Sequence, residues 1–296
     1  MSPKTGLPER LENWNIETVR DLAARGVYES DLFDLKAMIP RDEHGKHRLR
    51  KACAAFANSR GGYLVFGVAN DKSSSPERRV VGIDASIDFP GEFGNFPGRC
   101  EPAVPWEFRH PALAVDPTRV VHIVFIAPSW KAPHAVADGD GWVFPKRTSG
   151  GTEPMSYSEV RQMFLGYYEK RLKLQLLKAE LNQLSEMSGR ITLAQSEDSD
   201  SSSFLPTLEL RVLETVLSDT YSITHSYPDF LSRIAQLRPL VQTLNAHIET
   251  CRTNVAVHPQ GGQQFRMGQR LTIESLKPQV RNLAADVLVE LEKILR

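Results

Sequence analysis

Asp34 and Lys36 stand two residues apart in Asp31-Leu32-Phe33-Asp34-Leu35-Lys36-Ala37-Met38. That stretch alternates as a strand does, which puts both on one face. A further carboxylate, Asp71, follows the apolar run Tyr63-Leu64-Val65-Phe66-Gly67-Val68 in the turn Ala69-Asn70-Asp71-Lys72, where a strand's tip would present it. Carboxylate oxygens are natural ligands of Mg2+ or Mn2+, ions that keep bound waters and bridge phosphate oxygens. Such an ion lowers the pKa of its water and stabilises charge on a phosphate under attack. A lysine beside it, here Lys36, would orient the nucleophile or neutralise the transition state. The plainer reading is a set of solvated acids on a strand edge, because acidic side chains are mostly exposed.

The elements around these residues can also be read. Leu49, Ala52, Cys53 and Phe56 share one helical face, with His47, Arg50 and Lys51 opposite. Asn58-Ser59-Arg60-Gly61-Gly62 stops that helix, since Asn and Gly tolerate the left-handed conformation at a C-terminus. The apolar run after it predicts a strand buried on both faces. From Lys36 to Arg60 there are seven Lys or Arg residues against Asp42 and Glu43, so any phosphate-binding surface is local. Lys46, Arg48, Arg50, Lys51, Arg60, Arg78 and Arg79 form this basic set, joined by Lys146 and Arg147 at the end of a later hairpin. An ordinary solvated helix face explains them about as well as phosphate contact does. Trp106 and Trp142 are candidates for base stacking but fit a core equally. Cys53 reads as inert packing, and His134 as a packed or exposed histidine.

The remaining chain sets the bounds. Its 296 residues allow one large or two modest domains, and 41% hydrophobic residues suffice for a core. A net charge of zero excludes a general polycation. Three scattered cysteines, with no Cys-x-x-Cys pair, argue against a zinc site and a disulfide framework, and point to a reduced, cytoplasmic protein. No run has signal-peptide or membrane-spanning character, so no membrane partner is expected. Leu11 to Arg25 predicts a helix closed by Gly26; strands are expected at 31–38, 63–68, 80–83 and 120–126, and a hairpin at 133–147 around Asp138-Gly139-Asp140-Gly141. Ser156-Tyr157-Ser158-Glu159 has capping-box spacing and opens a helix. The α/β domain thus spans 10–166. A helical, coiled-coil-like region, 167–296, follows, broken by a Ser/Asp-rich linker at 188–205. Phe230, Ile234, Leu237, Val241, Leu244 and Ile248, and then Leu276, Val280, Leu283 and Val287, keep a heptad-like rhythm suited to bundling within the chain or with a partner.

Glu29-Ser30-x-x-Phe33-Asp34-Leu35-Lys36, Ala54-Ala55-Phe56-Ala57-Asn58-Ser59-x-Gly61-Gly62 with its apolar strand and Gly67-Val68, and Val81-Gly82-Ile83 together resemble the Schlafen AlbA_2 domain. Pro133-His134 and Phe144-Pro145-Lys146-Arg147-Thr148-Ser149-Gly150 resemble that family's terminal hairpin. The resemblance covers about half the chain and leaves the helical tail unassigned. It implies an α/β (α+β) mixed-sheet core that handles nucleic acid. It also implies three carboxylates holding divalent metal, matching Glu29, Asp34 and Asp71. Asp34 stands where the family usually has Glu, and Asn70 competes with Asp71 for the third position. No Gly-x4-Gly-Lys-Ser/Thr stretch supports a nucleotide-binding P-loop.

Two function classes result. One is a metal-dependent endoribonuclease using Mg2+ or Mn2+ on structured RNA such as tRNA, in a stress or defence response, with Glu29, Asp34, Lys36 and Asp71 catalytic. The other is a non-catalytic nucleic-acid-binding regulatory module. A weaker third is an assembly protein whose tail carries the function. RNA is favoured over DNA, and a dimer or higher homo-oligomer is expected, with the helical tail a further dock for a protein partner.

Overall fold

The computed structural model describes residues 7–8, 10–25, 29–69, 75–192, 204–219, 227–257 and 263–295. Asn70, Asp71, Gly26 and most of the expected linker lie outside the described residues. The chain divides into two compact units, residues 1–167 and 168–296.

The first unit is built on a mixed sheet. β1 (Phe33–Lys36) runs parallel to β2 (Gly62–Phe66), which lies antiparallel to β6 (Arg119–Ile126). The two-residue strands β3 (Ile83–Asp84) and β4 (Glu107–Phe108), and β5 (Leu113–Asp116), each pair with β6. β2 is buried along its whole length, as the unbroken apolar run demands. Strand alternation then divides the sheet into two cores. Phe33, Leu35, Tyr63, Val65 and Ile123 pack with Trp14, Val19 and Leu22 of the N-terminal segment, which includes α1 (Ile16–Ala24). Leu64, Phe66, Val124 and Ile126 pack instead with Leu49, Ala52 and Phe56 of α2 (Glu43–Ala57), and with Phe89 and Phe93 of α4 (Phe89–Gly94); α3 is the single turn Pro76–Arg79.

α2 starts at Asp42, whose carboxylate accepts from Gly45 N at 2.8 Å. Its second half, Ala52-Cys53-Ala54-Ala55-Phe56-Ala57, is buried on all sides; small side chains let the helix press onto the sheet. The stop is tight. A Cβ on Gly62 would lie 2.4 Å from Phe56 Cε1, so this site admits only glycine. Asn58 then fastens two loops: its Nδ2 donates to His134 O and Pro145 O, both at 2.8 Å, and its Oδ1 accepts from His134 N at 2.6 Å.

The hairpin expected at 133–147 is two hairpins. β7 (Val136–Asp138) pairs β8 (Gly141–Val143), and β9 (Pro145–Thr148) pairs β10 (Gly151–Pro154). Neither joins the main sheet. The divide comes at Pro145, which has no N–H to continue the first ladder. Ser156 and Glu159 form the capping box, with Ser156 N donating to Glu159 Oε2 at 2.8 Å, and α5 (Tyr157–Arg190) follows.

The second unit is helical: the rest of α5, α6 (Arg211–Asp219), α7 (Pro228–Val257) and α8 (Gln263–Leu295). The heptad-like positions Phe230, Ile234, Leu237, Val241, Leu244 and Ile248 are buried, as are Val280 and Val287, beside Leu174, Leu177, Leu181 and Leu184. Leu276 and Leu283 are only half-buried; Ile273, Ala284, Leu291 and Ile294 complete the seam. Lys178 pairs Glu292 at 2.7 Å and Arg233 pairs Asp286 at 2.8 Å across it. These heptads bury their apolar face within one chain, so the repeat by itself gives no reason for a second copy. Among the described residues, no helix is long and apolar enough to cross a membrane.

His122 sits inside β6, stacked on Phe89 at 3.9 Å, with both ring nitrogens buried and, among the described residues, without a hydrogen-bond partner. Burial pushes its pKa down to about 4. The unfolded chain, with an imidazole near about 6.5, takes up the proton first. Stability that is intact above that pH is therefore lost as pH falls toward about 4. His122→Phe keeps the stacked ring and removes the titration. Its Tm should fall less than the parent's when pH is lowered from about 7 to about 5; equal falls in thermal melts would contradict this.

Candidate functional site

The segment 29–36 folds back on itself. Ser30 N donates to Phe33 O at 2.8 Å, Ser30 Oγ accepts from Leu32 N at 3.1 Å, and Glu29 bridges Asp34 in antiparallel register. The five-residue spacing thus becomes proximity. Alternation in β1 turns Asp34 away from Phe33 and Leu35, to the face that α2 covers.

Asp34 is 3% exposed. Lys36 Nζ lies 2.8 Å from its Oδ2, and Arg147 Nη1 lies 3.8 Å from the same oxygen. Arg147 Nη1 also meets Glu29 Oε1 at 2.5 Å and Thr152 Oγ1 at 2.8 Å. The rest of the guanidinium donates to Ser30 O, from Nε at 3.1 Å and Nη2 at 2.7 Å, and to Phe33 O at 3.3 Å. Its plane lies over the Phe56 ring, 4.6 Å from the centroid. Burial raises the Asp34 pKa, opposed first by Lys36 and then by Arg147. Gly151 closes the site at φ +125°, where a Cβ would come within 3.2 Å of the Glu29 carboxyl group. The sequence therefore needs an acid at 29 and 34, a cation at 147 and a glycine at 151 together.

Glu29, Asp34, Gly151 and Thr152 open onto a cleft of about 800 Å3. Glu29, Asp34 and Lys36 form one wall, Arg41, Asp42, Arg48 and Lys51 another, and Gly150 to Thr152 a third. Lys51 is paired with Asp138 at 2.9 Å, whereas Arg48 is exposed and, among the described residues, has no ion pair.

The other expected phosphate contacts divide. Arg60 and Arg78 are exposed. Lys46 and Arg50 share Glu43, at 2.7 and 3.7 Å, and Lys146 pairs Glu159 at 2.6 Å, which holds the Glu159 pKa down at about 2. Two of the expected contacts turn inward instead. Arg147 has no exposed side-chain surface and serves the interior contacts above. Arg79 is 9% exposed and donates to Ala23 O at 3.0 Å, tying α3 to α1. Both fail as surface contacts because their guanidinium donors are taken by buried acceptors. Trp106 packs on Phe93 at 4.9 Å, His134 is fully buried, and Cys53 is buried with its thiol pKa raised by desolvation; Trp142 alone of these is exposed.

Sequence reasoning missed the role of Arg147. The available signal was alternation in β9, which puts Arg147 on the same inward face as Pro145 and Lys146 on the other. It also passed over Arg41, Asp42, Gly151 and Thr152 as parts of a site.

The profile of the family described as Schlafen, AlbA_2 matches residues 29–156, which contain every residue of this cleft. Residues 29–156 form a Schlafen AlbA_2 domain. The helical unit lies beyond the match, and no curated protein matches the chain. A nucleic-acid-related role is consistent with the Schlafen domain. Glu29 and Asp34 are each matched by a cation, and no group of three metal-ligating side chains occurs among the described residues.

Removing one partner of a buried ion pair leaves a charge uncompensated and costs about 3–5 kcal/mol. Arg147→Met should therefore lower unfolding free energy by about 3 kcal/mol or more, measured by urea denaturation. Arg147→Lys should recover under half of that, since an ammonium cannot make the forked contacts to Ser30 O and Glu29. A full-strength lysine variant would show that only charge matters.

Proposed function

We propose that the Schlafen domain binds a nucleic-acid strand across the Glu29–Asp34 cleft, with RNA preferred to DNA as the family resemblance implies. One observation carries this: an acid pair already neutralised by Lys36 and Arg147 lies beside Arg41 and Arg48, both exposed. A phosphate entering there meets two guanidinium groups that have no ion pair among the described residues, and sequence-independent affinity follows. Arg48→Ala should lower affinity for a mixed tRNA pool several-fold and reduce the slope of log K against log salt by about 0.7 to 0.9. Arg60→Ala makes the same charge change away from the cleft and should do much less. Equal losses in filter binding would place the strand elsewhere.

A second reading, metal-dependent endoribonuclease activity with Mg2+ or Mn2+, is favoured by one specific contact. Glu29 Oε1 and Asp34 Oδ2 both lie within 4 Å of a single point of positive charge, Arg147 Nη1. Two carboxylates that share one cation can share another, with Asp71 the candidate third ligand. Under this reading the parent cleaves tRNA with Mn2+ and stops with chelator, and Glu29→Ala abolishes cleavage but keeps most RNA affinity. Parent protein that binds tRNA without cutting it under Mn2+ leaves the binding module as the function. Cytoplasmic localisation and homo-oligomer formation are part of the same proposal.

A further inference from the structure

Beside the cleft lies a second hollow, of about 500 Å3. Arg41, Lys46, Arg50 and Arg99 line it, with Glu92 its one acidic wall residue. Pro40 and Arg41 line both cavities, so the two adjoin across that single ridge. α2 supplies Lys46 and Arg50 one turn apart on one face, and a 3-10 turn, Pro97–Arg99, supplies Arg99 opposite. The turn is held to the helix where Cys100 Sγ contacts Arg50 O at 3.7 Å.

The charges here are not balanced as they are around Asp34. Arg41 and Arg99 are exposed and form no ion pair among the described residues. Lys46 and Arg50 share one carboxylate, that of exposed Glu43. Arg50 Nε is buried and, among the described residues, has no hydrogen-bond partner. An orphaned guanidinium donor is costly, and calls for an acceptor. Four cations against two acids in a small concave site, with a donor unsatisfied, suit a phosphate oxyanion, which guanidinium groups bind by forked hydrogen bonds. Glu43 already holds two of these cations as such an anion would.

We propose that this hollow is a second phosphate-binding subsite, taking a backbone phosphate of the strand that lies in the adjoining cleft. The strand's identity rests on the function proposed above; the phosphate chemistry rests on the hollow itself. Arg99 belongs to the hollow and not to the cleft, which makes it the residue to change.

The test uses the full chain, a mixed tRNA pool across a salt series, and inorganic pyrophosphate by calorimetry. Arg99→Ala should weaken tRNA binding about three- to tenfold and flatten the salt slope by about 0.7 to 0.9, with Arg99→Glu weaker still. Glu43→Gln, which removes the competing carboxylate, should tighten binding. Pyrophosphate should bind the parent and not Arg99→Glu. Matching melting curves control for folding, which neither exposed side chain is expected to disturb. Normal tRNA affinity and slope in both Arg99 variants overturn the subsite. If the parent binds no tRNA, the proposed function falls and pyrophosphate decides the hollow alone. Heat present in the parent and lost in Arg99→Glu supports a phosphate site, and no heat in the parent overturns it.

Discussion

A guanidinium with no solvent contact must have its charge and its donors answered from within, and Arg147 sets that demand for the Schlafen domain. The answer is drawn from several parts of the chain. Glu29 and Asp34 supply negative charge, Ser30 and Phe33 supply carbonyls, Thr152 a hydroxyl and Phe56 a ring face. The 29–34 turn, the end of α2 and the β9–β10 hairpin must therefore arrive together. Asn58 and Ser59 add to the seam, since Ser59 Oγ accepts from Arg147 N at 2.9 Å while Asn58 holds Pro145 and His134. Motifs far apart in sequence are in this way one structural unit.

The same arrangement fixes the electrostatics of the cleft. Asp34 would repel phosphate if it stood alone in a site that excludes water. Paired with Lys36 and Arg147 it is a neutral floor, and the exposed Arg41 and Arg48 dominate what a ligand meets. A divalent ion would have to compete with those built-in cations for the carboxylate oxygens. Metal-dependent chemistry in this cleft is thus a question of displacement.

Much of this fold is legible in the sequence because local pattern and tertiary environment agree. The strand expected at 63–68 and found at Gly62–Phe66, the alternation across Asp34 and Lys36, the Asn-Gly-Gly stop after α2 and the Ser156–Glu159 capping box are each fixed by neighbours within a few residues. What was illegible depends on distant partners. Arg147 and Arg79 read as surface cations because nothing nearby in the chain shows the acceptors that bury them. β10, in Gly151-Thr152-Glu153-Pro154, has the composition of a loop and is a strand only because β9 pairs with it. The heptads of the tail have the same spacing whether they meet another chain or their own; burial of Phe230 through Ile248 shows the second. Glu29, Asp34 and Lys36 do converge, whereas Asp71, the third expected acid, lies outside the described residues.

Nucleic acid bound as proposed lies in the cleft between β1, α2 and the β9–β10 turn. Amide hydrogen exchange of the full chain, with and without saturating tRNA, tests it most directly. Exchange should slow on binding in the loop 37–42 and the turn 148–151, which border the cleft, with no change in α1 or β5 on the other face of the sheet. Protection confined to α1 and β5, with 37–42 and 148–151 unaltered, would contradict it.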